Sequence, residues 1–206
     1  MFSLQDLLGQ QQGTQTVEEI SQHVGANQSA VNSAIQMALP MLINGLANNA
    51  STPEGAQSLN NALEKDHNGG ILDKLGGLGG MIFGGGDHSA RQPPPRQADA
   101  GGILGHIFGN NQGQVAQQVS QNSSLDIGQV SQILMFLAPI VMGYLGKQKQ
   151  QQGLDQNGLS GYLGEQQQQI QASPQGGLLG NILDRDGDGS SMDDIASMAM
   201  SYMNRR

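Results

Sequence analysis

The sequence predicts an all-α fold made of two related multi-helical units joined by a Gly- and Pro-rich linker. Apolar residues recur three and four positions apart in several segments, which is the spacing of one helix face. Hydroxyl and amide side chains stand directly before some of these segments, where they favour a helix N-terminus. An apolar segment with a late Pro also occurs twice, at Pro40 and at Pro139. This repetition predicts that the chain contains related units.

The first unit begins with a Gln-rich stretch, residues 1–16, which predicts a short helix or a frayed end. Residues 17–25 have helical apolar spacing and end at a Gly. We expect Asn27 or Ser29 to cap the following long helix. Pro40 lies inside that helix, so a kink or a break is expected near Leu39.

A further helix is predicted to start at residues 51–54, where Ser-Thr-Pro-Glu combines a hydroxyl cap, an early Pro and an acid near the positive end of the helix dipole. It leads into an acidic stretch, residues 64–73. The Gly-rich segment that follows contains three consecutive prolines, which are stiff and extended. We therefore assign residues 1–80 to the first unit and 81–100 to the linker.

The second unit, residues 101–206, starts with a short apolar helix at 101–108. A long apolar helix with a late Pro follows. Residues 147–176 are rich in Gln and Gly, and predict an insertion of loop with one weak helix. Residues 178–183 predict a short helix, and Met residues line a last helix after residue 195.

Two offsets align the units. With an offset of 99 residues, Pro40 meets Pro139 and Leu46 meets Leu145. With an offset of 120 residues, the acidic stretch at 64–66 meets the one at 184–186. The residues by which the two offsets differ are accounted for by the Gln-rich insertion. A tandem duplication explains both alignments.

Three sequence motifs carry a resemblance to a known family. They are Gly-Ile-Leu-Gly-His-Ile-Phe-Gly at 102–109, Leu-Ala-Pro-Ile-Val-Met-Gly-Tyr-Leu-Gly at 137–146 and Leu-Asp-Arg-Asp-Gly-Asp-Gly at 183–189. In this order they resemble the bacterial domain-of-unknown-function family 937, the group that includes the YidB-like proteins. The resemblance covers most of the chain, in two copies. It implies an all-helical fold of several short helices. It implies no activity, and no functional residue is carried over from it.

An acidic loop near the C-terminus is the candidate metal site. Alternating carboxylates that lead to a Gly are typical of calcium loops, in which oxygen ligands surround a hard cation. The acid expected at loop position 12 is replaced by Ile195, so a shortened loop would be needed. The alternative is a helix-joining turn, for which Asp and Gly are equally suited. The candidate calcium ligands are Asp184, Asp186, Asp188, Ser190, Asp193 and Asp194.

Residues 20–35 and 115–134 resemble helix-turn-helix corners, which suggests a DNA-associated regulator as the alternative function. Phosphate contacts need basic or polar donors, and neither corner contains Lys or Arg. The first corner lies beside Glu18 and Glu19, and the second contains Asp126, which also argues against a nucleic-acid partner. A helical corner packed on its own apolar side is therefore the favoured interpretation.

Other chemistry is limited by the residue types. The chain has no Cys, which excludes disulfides and thiolate sites, and its four His residues are not at metal-ligand spacing. We expect His23 and His106 to be half-buried helix residues. The sequence shows no motif that pairs a nucleophile with a general base, so we predict a non-enzymatic protein.

The expected role is that of an interaction or structural protein with an unknown protein partner or a second copy of itself. Four Met residues near the C-terminus, at 192, 198, 200 and 203, are either a binding face or ordinary core. The N-terminus lacks a secretory signal pattern, and the longest apolar run, 133–146, is too short to cross a bilayer. We therefore expect a cytoplasmic protein without a membrane partner.

Overall fold

The computed structural model describes residues 3–65, 72 and 99–172, and the extended regular elements within these ranges are all α-helices. The all-α prediction is confirmed. The described residues up to Gly164 belong to one compact unit, and those from Glu165 onward belong to a second. The helices are α1 (Leu4–Leu8), α2 (Gln10–Val24), α3 (Gln28–Ala50), α4 (Pro53–Lys65), α5 (Ala100–Phe108), α6 (Gln112–Ser123), α7 (Ile127–Gln152) and α8 (Gln156–Gln171), with a 3-10 turn at Gly109–Asn111 between α5 and α6.

The Gln-rich N-terminus is more helical than its composition suggests. Ser3 and Asp6 form a reciprocal capping box that begins α1. Helix α2 then starts at Gln10, seven residues before the apolar spacing begins at Val17. Gln has a high helix propensity, so polar residues extend the helix beyond its apolar face. Gly13 allows α1 to lie against α2, because a Cβ there would be 2.6 Å from the Gln5 backbone nitrogen.

The α2–α3 corner forms as its turn residues indicate. Gly25 ends α2 in the left-handed conformation, with φ of 66°. The Asn27 side chain then accepts a hydrogen bond of 2.8 Å from the Ala30 amide, which confirms the predicted cap of α3.

The α6–α7 corner has the same construction. Ser124 takes the left-handed conformation with φ of 58°, and Asp126 caps α7 in a reciprocal capping box with Gln129. The Gln129 side-chain amide also donates a hydrogen bond of 3.1 Å to the Val24 carbonyl at the end of α2. One side chain therefore links the two corners.

Both proline-containing helices are continuous. Helix α3 runs from Gln28 to Ala50 through Pro40, so no break occurs near Leu39. Helix α7 runs through Pro139 in the same way. Each Pro removes one backbone hydrogen bond. Several neighbouring side chains, including Leu39 and Leu42, are fully buried, and this tertiary packing stabilises the helix across the Pro.

Helices α3 and α7 form the centre of the core. They contact each other, and each contacts helices from both sides of residues 66–98. Both α3 and α7 pack against the same four helices, α2, α4, α5 and α6. The described parts of both predicted units up to Gly164 thus lie in one compact unit. Residues 81–98 of the predicted linker lie outside the described residues, and Ala100 already belongs to α5.

The Gln-rich segment is helical rather than a loop with one weak helix. Residues 147–152 continue α7 until Gly153, with φ of 61°, ends it. A short turn leads to α8, whose Leu159 and Leu163 are buried. The prediction of a loop was wrong because Gln-rich composition was equated with irregular structure, although Gln favours helices. Residues 173–176 lie outside the described residues.

Among the described residues, two helices are long and apolar enough to cross a membrane by length and composition, namely α3 and α7. In each, 61% of the apolar window is buried inside the protein. The central helices of a water-soluble core meet the same criterion, so this finding is weak evidence for a membrane span.

Candidate functional site

A pocket of about 490 Å³ opens between α3, α4, α5 and α7 in the first compact unit. This volume lies in the range of small-molecule sites. Buried apolar side chains and exposed polar ones both line it. The lining residues are Leu46, Asn49, Glu54, Gly55, Ser58, Leu59, Ala62, Asp99, Gly102, Ile103, His106, Ile107 and Met142.

Two residues of α3 hold α5 along one side of this interhelical pocket. A Cβ at Gly45 would lie 2.6 Å from the Ile107 Cγ2 atom, so the two helices approach closely there because the residue is Gly. One turn later, the Asn49 Nδ2 donates hydrogen bonds of 2.8 Å to the His106 carbonyl and 3.1 Å to the Ile107 carbonyl. These carbonyls belong to the last turn of α5, which lacks intrahelical donors.

The start of α4 forms a second side. The Thr52 hydroxyl accepts a hydrogen bond of 3.2 Å from the Gly55 amide, which confirms the predicted helix start. A Cβ at Gly55 would collide with the Asn49 carbonyl, so α4 leaves the end of α3 at close range. Glu54 is exposed in the first turn of α4 at the rim of the pocket.

Asp99 supplies the other carboxylate of the rim. It caps α5, and its Oδ1 accepts a hydrogen bond of 3.0 Å from the Gly102 amide. A Cβ at Gly102 would lie 2.5 Å from the second carboxylate oxygen, so the Gly leaves room for this cap. Among the residues that the structure describes, the pocket lining contains Glu54 and Asp99 and neither Lys nor Arg.

The interior surface of the pocket is apolar. Leu46, Leu59, Ile103, Ile107 and Met142 are all buried, with at most 9% of each residue exposed. The pocket therefore combines a hydrocarbon interior with a carboxylate rim. Such a surface suits a ligand with an apolar body and a polar or charged end.

Ser58 and His106 add a hydroxyl and an imidazole to the lining. In the described part of the chain, no hydrogen bond is recorded between these two side chains or from either of them to Glu54 or Asp99. The polar groups thus line the pocket separately and are not assembled into an acid–base pair.

The candidate calcium ligands Asp184, Asp186, Asp188, Ser190, Asp193 and Asp194 all lie outside the described residues. In the related acidic stretch, only Glu64 and Lys65 of residues 64–68 are described. Within residues 3–65, 72 and 99–172, no three His, Cys, Asp or Glu side chains are grouped to hold a metal ion. Calcium binding at residues 184–194 therefore stays a prediction.

Glu64 forms an ion pair with Lys149 of α7. Its carboxylate accepts a hydrogen bond of 2.8 Å from Lys149 Nζ on α7 and one of 3.2 Å from Asn60 Nδ2. The hydrogen bond and charge of Lys149 lower the pKa of the Glu64 carboxyl below its ordinary value. This contact joins the ends of α4 and α7.

The expectation that His23 and His106 are half-buried was wrong, because both are exposed. The His23 ring packs edge-on against Phe136 of α7, with ring centroids 5.2 Å apart. His106 lies at the pocket. Each lies on the exposed side of the last turn of its helix, directly before a buried residue, Val24 or Ile107. His67 and His88 lie outside the described residues.

The helix-turn-helix-like corners place their second helices in the core. In α3, the buried set begins at Val31, so the exposed residues of its N-terminal part are polar positions such as Gln28, Ser29 and Ser33. In α7, the exposed Ile127 is followed by a buried set that begins at Val130. DNA binding by these corners stays a prediction.

Sequence reasoning missed the pocket. Its lining comes from four helices, and α5 is separated from α3 by about fifty residues of chain, so no local pattern indicates the contact. Two signals were present, since Asp99 stands before an apolar helix as a cap, and Gly45 interrupts an apolar one.

Residues 6–148 match the family described as "Bacterial protein of unknown function (DUF937)". The chain belongs to this family. The match to DUF937 includes all residues that line the pocket and ends before the acidic loop at 184–194. No curated protein and no solved structure matches the chain.

Proposed function

We propose that this DUF937 protein is a non-enzymatic binding protein that takes a ligand in the interhelical pocket. The pocket itself supports the proposal, since it offers about 490 Å³ with an apolar interior and a polar rim. Binding is proposed rather than catalysis because Ser58, His106 and the two carboxylates are not joined in the described structure. The pocket lies inside the DUF937 match, so the site belongs to the part of the chain that defines the family.

A neutral, environment-sensitive dye tests this function. Ser58 is exposed on α4 at the pocket, and Ser58→Phe should fill the entrance and reduce dye fluorescence. Gln57 is exposed on the same helix and is not part of the lining, so Gln57→Phe is the matched control. The proposal fails if Ser58→Phe and Gln57→Phe bind the dye as the parent protein does.

Within the family, we propose that the chain belongs to the YidB-like group and arose by tandem duplication. The supporting features are paired at an offset of 99 residues. Gly25 and Ser124 both end a helix in the left-handed conformation, and Asn27 and Asp126 both cap the next one. Comparison of the α2–α3 and α6–α7 corners in an experimental structure tests the proposed relationship.

Calcium binding by the acidic loop is proposed on the sequence pattern of Asp184, Asp186 and Asp188. Calcium titration should raise the melting temperature, and Asp186→Ala should abolish that rise. The absence of a calcium-dependent shift at millimolar concentration refutes the site.

The remaining proposals are a cytoplasmic location and a protein partner or self-association. Light scattering measures the oligomeric state of the purified protein. The alternative of a DNA-associated regulator is supported only by the corner pattern, and retention of nonspecific DNA at low salt in a gel-shift assay would favour it.

A further inference from the structure

We infer that the ligand of the interhelical pocket is a small organic cation with an apolar body, such as an alkylammonium compound. This inference rests on the proposed function and adds the chemical class of the ligand. It is carried by two features of the lining, namely the buried hydrocarbon interior and the sign of the charge at the rim.

The interior requires an apolar body. Leu46 and Met142 come from the central helices, and Leu59, Ile103 and Ile107 come from the two helices at the sides. All five are buried in the protein, yet they line the pocket. An alkyl or aryl group placed against them removes apolar surface from water, which is favourable in proportion to the area covered.

The rim determines the charge of the ligand. Glu54 and Asp99 each carry a formal negative charge at neutral pH, and the described residues of the lining include no basic side chain to balance them. Both carboxylates lie at helix N-termini, where the helix dipole contributes roughly half a positive charge. Two such contributions offset about one of the two negative charges. The rim therefore stays net negative, which attracts a cation and repels an anion.

Glu54 is available to the ligand. Its side chain makes neither a hydrogen bond nor an ion pair with any residue that the structure describes, and it is exposed at the rim. Asp99 uses Oδ1 to cap α5, and a carboxylate has capacity for further hydrogen bonds. An ammonium group at the rim thus has one unpaired carboxylate and one partly used carboxylate as acceptors.

Three probes with the same ten-carbon chain separate the contributions of apolar body and charge. Decyltrimethylammonium, decanol and decanoate, each below its aggregation concentration, are titrated into the full chain by calorimetry. Amide chemical shifts of α4 and α5 report the place of binding. We expect the cation to bind at least threefold more tightly than decanol and decanoate to bind more weakly than decanol.

Charge-neutralising variants identify the carboxylates. Glu54→Gln and Asp99→Asn should each weaken binding of the cation about threefold, and Asn can still cap α5. Glu18→Gln is the matched control, because Glu18 is exposed on α2 outside the pocket and the substitution changes the net charge equally. Binding of decanol should be the same in all three variants.

The outcomes distinguish the two proposals. The cationic ligand is refuted if decanoate and the cation bind the pocket with equal affinity. It is also refuted if the affinity for the cation is unchanged in both Glu54→Gln and Asp99→Asn. In either case the pocket remains a binding site. If no probe shifts the amides of α4 and α5, or if Ser58→Phe binds the probes as Gln57→Phe does, both the ligand class and the proposed function fail.

Discussion

The hydrogen bonds from Asn49 to the end of α5 give the sharpest test of how the pocket is built. The Asn49 Nδ2 reaches the His106 and Ile107 carbonyls at 2.8 and 3.1 Å and also the Gly45 carbonyl of its own helix at 3.0 Å. Asn49→Ala removes all three. Asn122→Ala is a matched control, since Asn122 also lies in the last turn of a helix and donates to the carbonyl four residues earlier, Gln118, at 2.9 Å.

The difference between the two variants isolates the contacts to α5. A net hydrogen bond contributes about 1 kcal/mol, and those at Asn49 are partly exposed to water, so we expect Asn49→Ala to cost about 1–2 kcal/mol more than Asn122→Ala in free energy of unfolding. For a protein of this size, that difference lowers the melting temperature by about 2–8 °C. Asn49→Asp keeps the shape but cannot donate, so it should cost at least as much.

Urea unfolding followed by circular dichroism measures these free energies, and hydrogen exchange of residues 100–108 reports the position of α5. We expect faster exchange there in Asn49→Ala and unchanged exchange in Asn122→Ala. A difference below about 0.5 kcal/mol between the variants, with unchanged exchange in α5, refutes the view that Asn49 holds this helix.

Four further substitutions test three local features. Gly13→Ala should destabilise the protein by about 1–3 kcal/mol, because the new Cβ collides with the backbone of α1. Gly113→Ala should stabilise it by about 0.5–1 kcal/mol, because a Cβ there has no atom within 4 Å. Thermal unfolding compares the two variants. Ser124→Gly should raise the free energy of unfolding by up to about 1 kcal/mol, since φ of 58° favours Gly, and a decrease contradicts this. Glu64→Gln should lower the free energy of unfolding at neutral pH and have no effect in acid. The pKa of Glu64 is lowered in the folded protein, so its ion pair with Lys149 contributes stability above the unfolded-state pKa and loses it as pH falls through the folded-state pKa. Equal effects of the substitution at both pH values refute this reasoning.

Local signals in the sequence were sufficient for the fold class and for several helix boundaries. Asn27 and Thr52 cap helices as predicted, because a capping residue acts on amides only two or three positions away. Gly25 ends α2 for an equally local reason. The errors arose where composition was used in place of mechanism, as in the Gln-rich segment at 147–152, which continues α7.

The pocket could not be predicted because its geometry depends on contacts between residues far apart in the chain. Asn49 and His106 are 57 positions apart, and neither pattern nor propensity indicates that a side chain of α3 caps the C-terminus of α5. The continuity of α3 through Pro40 has the same origin, since burial by neighbouring helices outweighs a local preference.

The pairing of α3 with α7 has a consequence for synthesis of the protein on the ribosome. Helix α3 is complete at residue 50, whereas α7, against which it packs in the core, ends at residue 152, so about a hundred further residues must be made before the core can close. At roughly 5–20 residues per second, this interval lasts about 5–20 s. During that time the most apolar helix of the N-terminal half lacks its native cover. The nascent chain is therefore exposed to aggregation, and a chaperone that shields apolar segments should increase the yield of folded protein.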